Sequence, residues 1–354
     1  MSSQDKNTAL LPSGFEDLLM PHAEHESKAI ERIMSVFSAF GYRRIKPPIA
    51  EYEETMLVPG PGAFLADVTF RMVDPQSGKM LCLRSDITAQ IARIARTRLS
   101  EEPRALRVAY ANDVLRTRAS QQRTTRQFAQ VGCEMIGQDD VQSDIEVAVI
   151  ALKAASELGL KQVTMDFALP RIFDAALEAS GVAVDQIDAL RAKVSGRAIE
   201  ALEALKKLGL NDEAQAQVQR LEQVVRGVNE AVEQLGLDNV SLTLDPLETK
   251  GFEYHNGVAF TLFSHGVRGE IGRGGRYDIH TGVDQKESAM GVTFYMDTIR
   301  QGIEFEDGQK LIAVSSDIDW SELSALQKEG FVILRGSSVA GATHKYIDGE
   351  IKEI

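Results

Sequence analysis

The chain has 354 residues, of which 44% are hydrophobic and 26% are charged, and its formal net charge is −13. This composition is typical of a globular protein with a large core, and the negative charge argues against a general binder of nucleic acid or anionic membranes. Because the sequence shows neither a secretory signal nor the roughly 18 consecutive apolar residues of a membrane span, we expect a cytoplasmic protein without a membrane partner.

Hydrophobic periodicity and turn residues predict both helices and strands in the first part of the chain. In chain order, we predict a helix over residues 30–40 that Gly41 ends, an extended segment at Pro47 and Pro48, a hairpin that turns at residues 74–78, a helix over 87–99, and strands near 107–117 and 124–136.

The strand predicted at residues 124–136 has two different faces. Its odd-numbered residues from Gln127 to Met135 are mainly apolar and predict a core face. The opposite face carries Gln130 and Glu134 on either side of a glycine. This pattern indicates that something polar lies on the second face of the sheet.

Valine and leucine at helical spacing among charged residues predict a helical insertion over about residues 170–238, between two halves of a sheet domain. After it, "GFEYHNGVAFTLFS" and "EIGRGGRYD" predict antiparallel strands with a glycine-rich loop at residues 272–275. We predict one domain over residues 1–310. Residues 311–354 are predicted to form a small α/β element with Trp320 in its core and a polar tail.

Polar side chains concentrate at two strand ends. In "LRSDIT", Asp86 and Thr88 lie where a strand enters a helix, so they either cap the helix or offer a carboxylate to a ligand's ammonium group. "ETKGFEYHNGVAF" places Lys250, Tyr254 and His255 beside two glutamates. That second cluster is a catalytic site, a ligand cage or the solvated end of a sheet, and the residues alone leave all three open.

Nine arginines lie between residues 93 and 126, against three acidic residues. In so acidic a chain they indicate a local anion site or a docking surface for an acidic partner, or else a set of solvated charges. The six histidines and two cysteines lack the spacing of a metal site or a disulfide framework. No nucleophile motif is found. We therefore predict no metal, no cofactor and no catalytic residue.

Six blocks, taken together in their order and spacing, resemble the catalytic core of histidyl-tRNA synthetase over roughly residues 10–300. The blocks are "LPSGFEDLL", "RRIKPPIAEYEE", "LRSDITAQIARI", "LRTRASQQRTTRQFAQVGCEMIG", "KGFEYHNGVAF" and "GRGGRYD". The resemblance implies a class II aminoacyl-tRNA synthetase-like α+β fold, with an antiparallel sheet flanked by helices, and a homodimer.

The same blocks depart from a synthetase where ATP is activated. "LRTRA" keeps Arg116 but has Arg118 in place of a glutamate. Thr298 stands where the third motif has an arginine, and Tyr295 where it has a glycine. Lys250 replaces the arginine of the histidine-specific motif, and lysine lacks the planar fork of arginine. Because 54 residues follow the third motif, fewer than the ~100 of an anticodon-binding domain, we expect no tRNA partner.

This pattern is similar to the regulatory subunits of ATP phosphoribosyltransferase, a family of synthetase paralogues in bacterial histidine biosynthesis. The resemblance implies a non-catalytic chain that activates a short-form catalytic subunit, which condenses ATP with phosphoribosyl pyrophosphate, and that contributes to feedback inhibition by histidine. It also implies a homodimer within a larger hetero-oligomer. The candidate histidine-like pocket comprises Asp86, Thr88, Arg116, Gln130, Glu134, Lys250, Tyr254, His255 and Tyr277.

Two other functions stay open at this point. One is a minimal histidyl-tRNA synthetase-like aminoacyl ligase, and the other is a stand-alone histidine-binding sensor. The sequence also leaves open whether histidine binds in the pocket, at a subunit interface or on the partner.

Overall fold

The computed structural model describes residues 10–120, 123–249, 251–280, 285–303, 310–336, 341–347 and 349–354. The chain separates into two compact units, Met1–Glu304 and Phe305–Ile354. The predicted domains, residues 1–310 and 311–354, stay a prediction, and each unit is described in turn.

The first unit is built on a mainly antiparallel sheet. Its described strands are β1 (Arg43–Arg44), β2 (Ala50–Tyr52), β3 (Arg71–Val73), β4 (Met80–Leu83), β5 (Leu106–Leu115), β6 (Gln127–Ile136), β7 (Val163–Ala168), β8 (Gly196–Arg197), β9 (Val240–Leu244), β10 (His255–Ser264), β11 (Gly272–His280) and β12 (Lys286–Tyr295). Within the described chain, nine of them form one sheet in the order β1-β5-β6-β12-β11-β10-β7-β9-β8, and β2-β4-β3 form another. The pairs from β5 across to β7 are antiparallel, in agreement with the predicted α+β class.

Helices flank the large sheet. The described helices of the first unit are α1 (His22–Ala39), α2 (Glu53–Met56), α3 (Thr88–Thr97), α4 (Val141–Glu157), α5 (Phe173–Ser180), α6 (Ile187–Val194), α7 (Ala198–Lys206), α8 (Asp212–Gln234) and α9 (Met296–Ile299), with 3₁₀ helices at Pro61–Val68 and Val184–Gln186. The predicted N-terminal helix is confirmed as α1, after which Gly41 takes a φ of 82°. No helix in the described ranges is long and apolar enough to cross a membrane.

The central strand β6 is buried on both faces. Helix α4 packs against β6 and β12 on one side of the sheet. Every residue from Phe128 to Ile136 is buried, so the polar face predicted for this strand is not open to solvent. Gln130 and Glu134 are 0% and 1% exposed, and buried polar groups of this kind require partners.

The predicted glycine-rich loop at residues 272–275 is wrong, because these residues belong to strand β11. Neighbouring strands approach β11 too closely for side chains. A Cβ atom on Gly274 would lie 2.4 Å from the ring of Phe260 and 2.6 Å from the carbonyl oxygen of Gly291. Here glycine permits strand packing and does not mark a turn.

Helices α5 to α8 follow one another between strands β7 and β9. Helix α7 packs against α6 and α8, and α8 buries Val218, Leu221, Val225 and Val228 of the predicted apolar stripe. The helical character predicted for this part of the chain is confirmed, while its assignment as an insertion over about residues 170–238 stays a prediction.

The second unit contains strands β13 (Lys310–Val314), β14 (Phe331–Arg335), β15 (His344–Ile347) and β16 (Glu350–Glu353) and helix α10 (Trp320–Lys328). The described strands form a sheet in the order β14-β13-β15-β16, and Leu323 of α10 joins a core with Ile312. The segment predicted as a polar tail contains β15 and β16, which pair with each other, and every residue of β16 is exposed. Trp320 is 76% exposed, so its predicted core position is wrong.

A buried ion-pair network fastens α4 and α8 to strand β11. The Asp144 side chain has no exposed surface, and it accepts hydrogen bonds from Nε of Arg276 on β11 and Nε of Arg220 on α8, both at 2.7 Å. Arg276 also donates to the hydroxyls of Ser143 and Ser288 at 2.7 Å. Asp144 therefore supplies the counter-charge for a guanidinium that is 4% exposed.

We predict that Asp144→Asn lowers the free energy of unfolding by about 3–5 kcal/mol, because it leaves a buried charge without its partner. The matched control is Asp139→Asn. Asp139 also pairs with Arg220, at 2.7 Å, but its side chain is 59% exposed, and such pairs contribute about 0–1 kcal/mol. Urea unfolding followed by circular dichroism measures both variants. Equal losses in the two would contradict the prediction.

Candidate functional site

A cavity of about 240 Å³ lies in the first unit. Its walls come from strands β6, β11 and β12, the 3₁₀ helix at Pro61–Val68, the start of α3 and the segment that leads into β10. Seven of the nine predicted site residues line it: Asp86, Thr88, Arg116, Glu134, Tyr254, His255 and Tyr277. Lys250, the eighth, lies outside the described residues.

Glu134 forms the floor of the cavity. Its Oε1 atom accepts hydrogen bonds from the hydroxyls of Tyr110 at 3.2 Å and Thr88 at 3.3 Å, and Oε2 accepts one from Tyr277 at 3.1 Å. Strand β12 makes room for the carboxyl because Gly291 is directly opposite. A Cβ atom on Gly291 would lie 1.6 Å from Oε2 of Glu134, so the carboxyl occupies the place of a missing side chain.

Burial raises the pKa of Glu134 to about 8, although the hydroxyls of Tyr277, Tyr110 and Thr88 act in the opposite direction. The nearby charge of Asp86 also raises this pKa. The carboxyl is therefore mainly neutral at pH 7, and it both donates and accepts hydrogen bonds. It suits a ligand group that exchanges a proton near neutral pH, such as an imidazole with a pKa of about 6.5.

Asp86 contacts the start of helix α3 and a neighbouring strand, while its predicted role toward a ligand's ammonium group stays a prediction. Its Oδ1 atom accepts a hydrogen bond from the backbone N–H of Thr88 at 2.9 Å, which is a helix-start contact. Its Oδ2 atom accepts from Nε2 of Gln130 at 2.8 Å, and the amide oxygen of Gln130 accepts from the backbone N–H of Ile87 at 3.0 Å. Gln130, the ninth predicted residue, thus lies behind Asp86 and orients it toward the cavity.

Tyr254 and His255 form an aromatic wall. Their rings stack with centroids 4.2 Å apart, and Tyr254 meets Tyr277 edge to face at 5.6 Å. His255 is 4% exposed, and burial together with the charge of Arg273 lowers its pKa to about 3. The Nδ1 atom of the neutral imidazole is buried and has no hydrogen-bond partner among the described residues.

Two arginines and two further carboxylates, Glu253 and Glu270, line the same cavity. Arg116 lines it and donates from Nε to the carbonyl oxygen of Ser85 at 3.3 Å. Arg273 and Glu270, which the sequence analysis does not assign to the site, also line it and pair at 2.6 Å. A signal for Arg273 was present, because it precedes Tyr277 by four residues and therefore shares its face of the strand.

The arginines between residues 93 and 126 do not form one basic surface. Five of them pair with carboxylates of this chain: Arg93 with Glu51, Arg104 with Glu287, Arg107 with Glu146, Arg118 with Asp67 and Arg123 with Asp297. The guanidinium of Arg126 lies 4.8 Å from the ring centroid of Phe15. These six residues therefore make separate contacts within the chain, and the role of the tract as an anion site or a docking surface stays a prediction.

The positions that depart from the third synthetase motif lie at or near the cavity. Tyr295 lines it, and the guanidinium of Arg123 lies 4.2 Å from the ring centroid of Tyr295. Arg123 pairs with Asp297, which also accepts a hydrogen bond from the hydroxyl of Thr125 at 2.5 Å. Thr298, in the place of the expected arginine, is 5% exposed.

Groups of metal ligands are not found in the described part of the chain, where no three His, Cys, Asp or Glu side chains are placed to hold an ion. Cys82 and Cys133 are buried free thiols. Burial raises the pKa of both, which disfavours the reactive thiolate.

The sequence is similar to one family along most of its length. The histidyl-tRNA synthetase family profile matches residues 14–236 and 201–299. The ATP phosphoribosyltransferase regulatory subunit of Paramagnetospirillum magneticum is 38% identical over 359 residues, which cover 94% of this chain and 92% of that protein. The protein of the same name from Rhodospirillum centenum is 38% identical over 381 residues, which cover 98% and 96%.

Solved structures show the same fold. A protein described as an ATP phosphoribosyltransferase regulatory subunit/histidyl-tRNA synthetase from Bacillus halodurans aligns with a TM-score of 0.76, over 95% of this chain and 94% of that one, at 21% identity. Histidyl-tRNA synthetase from a Nostoc species aligns with a TM-score of 0.75, over 98% and 94%, at 16% identity. By fold and by sequence, the chain belongs to the family of ATP phosphoribosyltransferase regulatory subunits, which share the class II histidyl-tRNA synthetase fold.

Proposed function

We propose that this chain is the non-catalytic, cytoplasmic subunit of a two-component ATP phosphoribosyltransferase, the first enzyme of histidine biosynthesis. In this proposal it binds a short-form catalytic subunit, activates it, and contributes to its inhibition by histidine. The observation that carries the proposal is the 38% identity to a named regulatory subunit over 94% of the chain.

Histidine is the proposed ligand of the cavity. Asp86 would accept a hydrogen bond from its ammonium group, because each carboxylate oxygen retains a lone pair beyond the contacts to Thr88 and Gln130. Glu134 would share a proton with the imidazole ring. The ligand carboxylate would face the cationic side of the cavity, where Arg116 lies.

The same cavity supports binding better than activation by ATP. At the third motif, the large ring of Tyr295 stands where the resemblance has a glycine, and it packs against Arg123. Arg123 is held by Asp297 within the chain. A cation already paired in this way is less available to a triphosphate, which favours the regulatory subunit over the aminoacyl ligase.

Regulation requires that histidine binds one state of the assembly more tightly than another. A coupling free energy of about 1–3 kcal/mol between the histidine site and the catalytic site is enough to change an affinity 5–150-fold. The cavity and the contact with the catalytic subunit need not be adjacent for this effect.

We predict that the chain forms a stable complex with a short-form catalytic subunit and raises its rate of phosphoribosyl transfer, and that histidine lowers this rate. The physical reason is preferential binding of the active state of the partner. Co-elution in size-exclusion chromatography and a coupled rate assay with and without histidine measure these effects.

The regulatory role would be refuted if the two chains did not co-elute and the rate of the catalytic subunit did not change. Histidine-dependent exchange of pyrophosphate into ATP by the isolated chain would instead support the aminoacyl ligase. Binding of histidine without any effect of the partner would support a stand-alone sensor.

We predict that histidine affinity is highest between about pH 6.5 and pH 8. Below about pH 6.5 the free ligand imidazole is protonated, so binding next to a protonated Glu134 must release a proton. Above about pH 8 the carboxyl of Glu134 is ionised, so binding must take up a proton. Between these pH values the Glu134 carboxyl and the ligand imidazole together already hold one proton. Isothermal titration calorimetry at several pH values measures the dependence of the affinity on pH.

Glu134→Gln should lower the affinity at pH 7 and flatten the alkaline side of this profile. The matched control is Glu253→Gln, since Glu253 lines the same cavity but is exposed. The ligand amino group titrates with both variants, so their difference reports on Glu134. An unchanged alkaline slope in Glu134→Gln would contradict the role of this carboxyl.

We further propose a homodimer, to which the exposed apolar pair Val73 and Met80 contributes. These residues are neighbours across β3 and β4 and are 61% and 40% exposed, which is typical of an interaction surface.

Val73→Asp should weaken the dimer by about tenfold or more, because it buries a carboxylate. Analytical ultracentrifugation measures this, with Ile199→Asp on α7, where Ile199 is 42% exposed, as the control. A monomeric wild type, or equal effects of both variants, would refute the assignment.

A further inference from the structure

The cavity is electrically polarised. The carboxyl groups of Glu134 and Asp86 mark one side of it, where the charge of Asp86 raises the pKa of Glu134. Strand β12 separates β6 from β11, so the backbone of Arg273 on β11 lies roughly 10 Å or more across the sheet from that of Glu134. Such a cavity matches a zwitterion whose carboxylate points away from Glu134.

Arg273 is held firmly at the basic side. Its guanidinium lies 4.7 Å from the ring centroid of Phe252. It also occupies the space beside Gly251, where a Cβ atom would lie 1.4 Å from Nη1 of Arg273. The segment that precedes β10 therefore passes directly over the guanidinium, and only a glycine at residue 251 leaves room for it.

Glu270 is placed between two guanidinium groups. Its carboxylate lies 2.6 Å from Nη2 of Arg273 and 3.9 Å from Nη2 of Arg123. The side chains of Glu270 and Arg273 are each 20% exposed, so both are open to the cavity. A small movement of Glu270 toward Arg123 would keep its charge paired and would break its ion pair with Arg273.

We infer that Arg273 binds the carboxylate of the cavity's amino-acid ligand, and that Glu270 is an internal competitor which the ligand displaces toward Arg123. This inference rests on the proposed binding of histidine and adds the residue that recognises its carboxylate. The planar fork of arginine binds a carboxylate through two parallel hydrogen bonds, which a lysine such as Lys250 cannot provide.

Arg116 is less suited to this role. Its Nε atom donates to the carbonyl oxygen of Ser85, and its guanidinium lies 5.2 Å from the ring centroid of Phe128. Arg273 pairs with Glu270, a carboxylate that also lines the cavity and has a second cation nearby. Exchange of one carboxylate for another keeps Arg273 paired, which avoids the penalty of an isolated buried charge, and Glu270 then shares Arg123 with Asp297.

The exchange also connects the ligand to the segment that carries Arg123. Arg123 pairs with Asp297 at the start of α9 and stacks on Tyr295. A movement of Glu270 toward Arg123 would bring a second carboxylate to this guanidinium and would compete with its ion pair to Asp297. Ligand binding thus has a direct route to residues outside the cavity.

The test compares L-histidine with L-histidinol, which has an alcohol in place of the carboxylate, by calorimetry on the full chain. Arg273→Gln should lower the affinity for histidine about tenfold or more and leave that for histidinol within about twofold, because one charge-assisted carboxylate contact is lost. Glu270→Gln should raise the affinity for histidine several-fold, since it removes the competitor.

Arg226→Gln on α8 is the matched control. Arg226 pairs with Glu222 at 2.8 Å and is 55% exposed, and its loss should leave both affinities unchanged. If Arg273→Gln bound histidine with the same ratio of histidine to histidinol affinity as the wild type, the inference would be overturned. The proposed function would stay in place. An unchanged histidine affinity in Glu270→Gln would overturn the competition. Failure of the wild type to bind either molecule would overturn the proposed histidine site itself, and this inference with it.

Discussion

The buried carboxyl of Glu134 is the constraint on which the cavity side of the sheet depends. A carboxyl group that is 1% exposed requires hydrogen-bond partners, and hydroxyls from α3, β5 and β11 supply them. Space for it exists because Gly291 on β12 is its direct neighbour across the sheet. A slip of one residue between β6 and β12 would place Met290 or Val292 there, so the strand register and the chemistry of the cavity are set together.

The two faces of strand β11 have different contacts: one pairs with helix α4 and the other lines the cavity. Arg276 points toward α4 and pairs with Asp144, while the next residue, Tyr277, points into the cavity. Because successive residues of a strand face opposite sides, the strand that presents Tyr277 and Arg273 is anchored from behind. A ligand then meets groups that are already ordered, which reduces the entropy lost on binding.

Local pattern was sufficient for the parts of the site that one strand or one turn defines. The shared face of Gln130 and Glu134 follows from alternation along β6. Alternation along β11 likewise places Arg273 on the face of Tyr277, whereas Tyr110 reaches Glu134 only because β5 pairs with β6. Trp320 shows a different limit. As the first residue of α10, its side chain projects past the start of the helix, and its hydrophobicity alone does not indicate this.

The position of Arg273 changes what Lys250 implies. In the sequence, lysine in place of an arginine indicates a weakened carboxylate site. In the structure, the guanidinium of Arg273 on β11 lines the cavity, although Glu270 already pairs with it. A ligand carboxylate would have to displace that of Glu270. The favourable free energy of the new contact would therefore be offset in part by the loss of the ion pair between Glu270 and Arg273. This competition lowers affinity without removing specificity for the carboxylate. For the proposed regulatory role, that is an advantage, because a site that is always filled cannot respond to a change in ligand concentration.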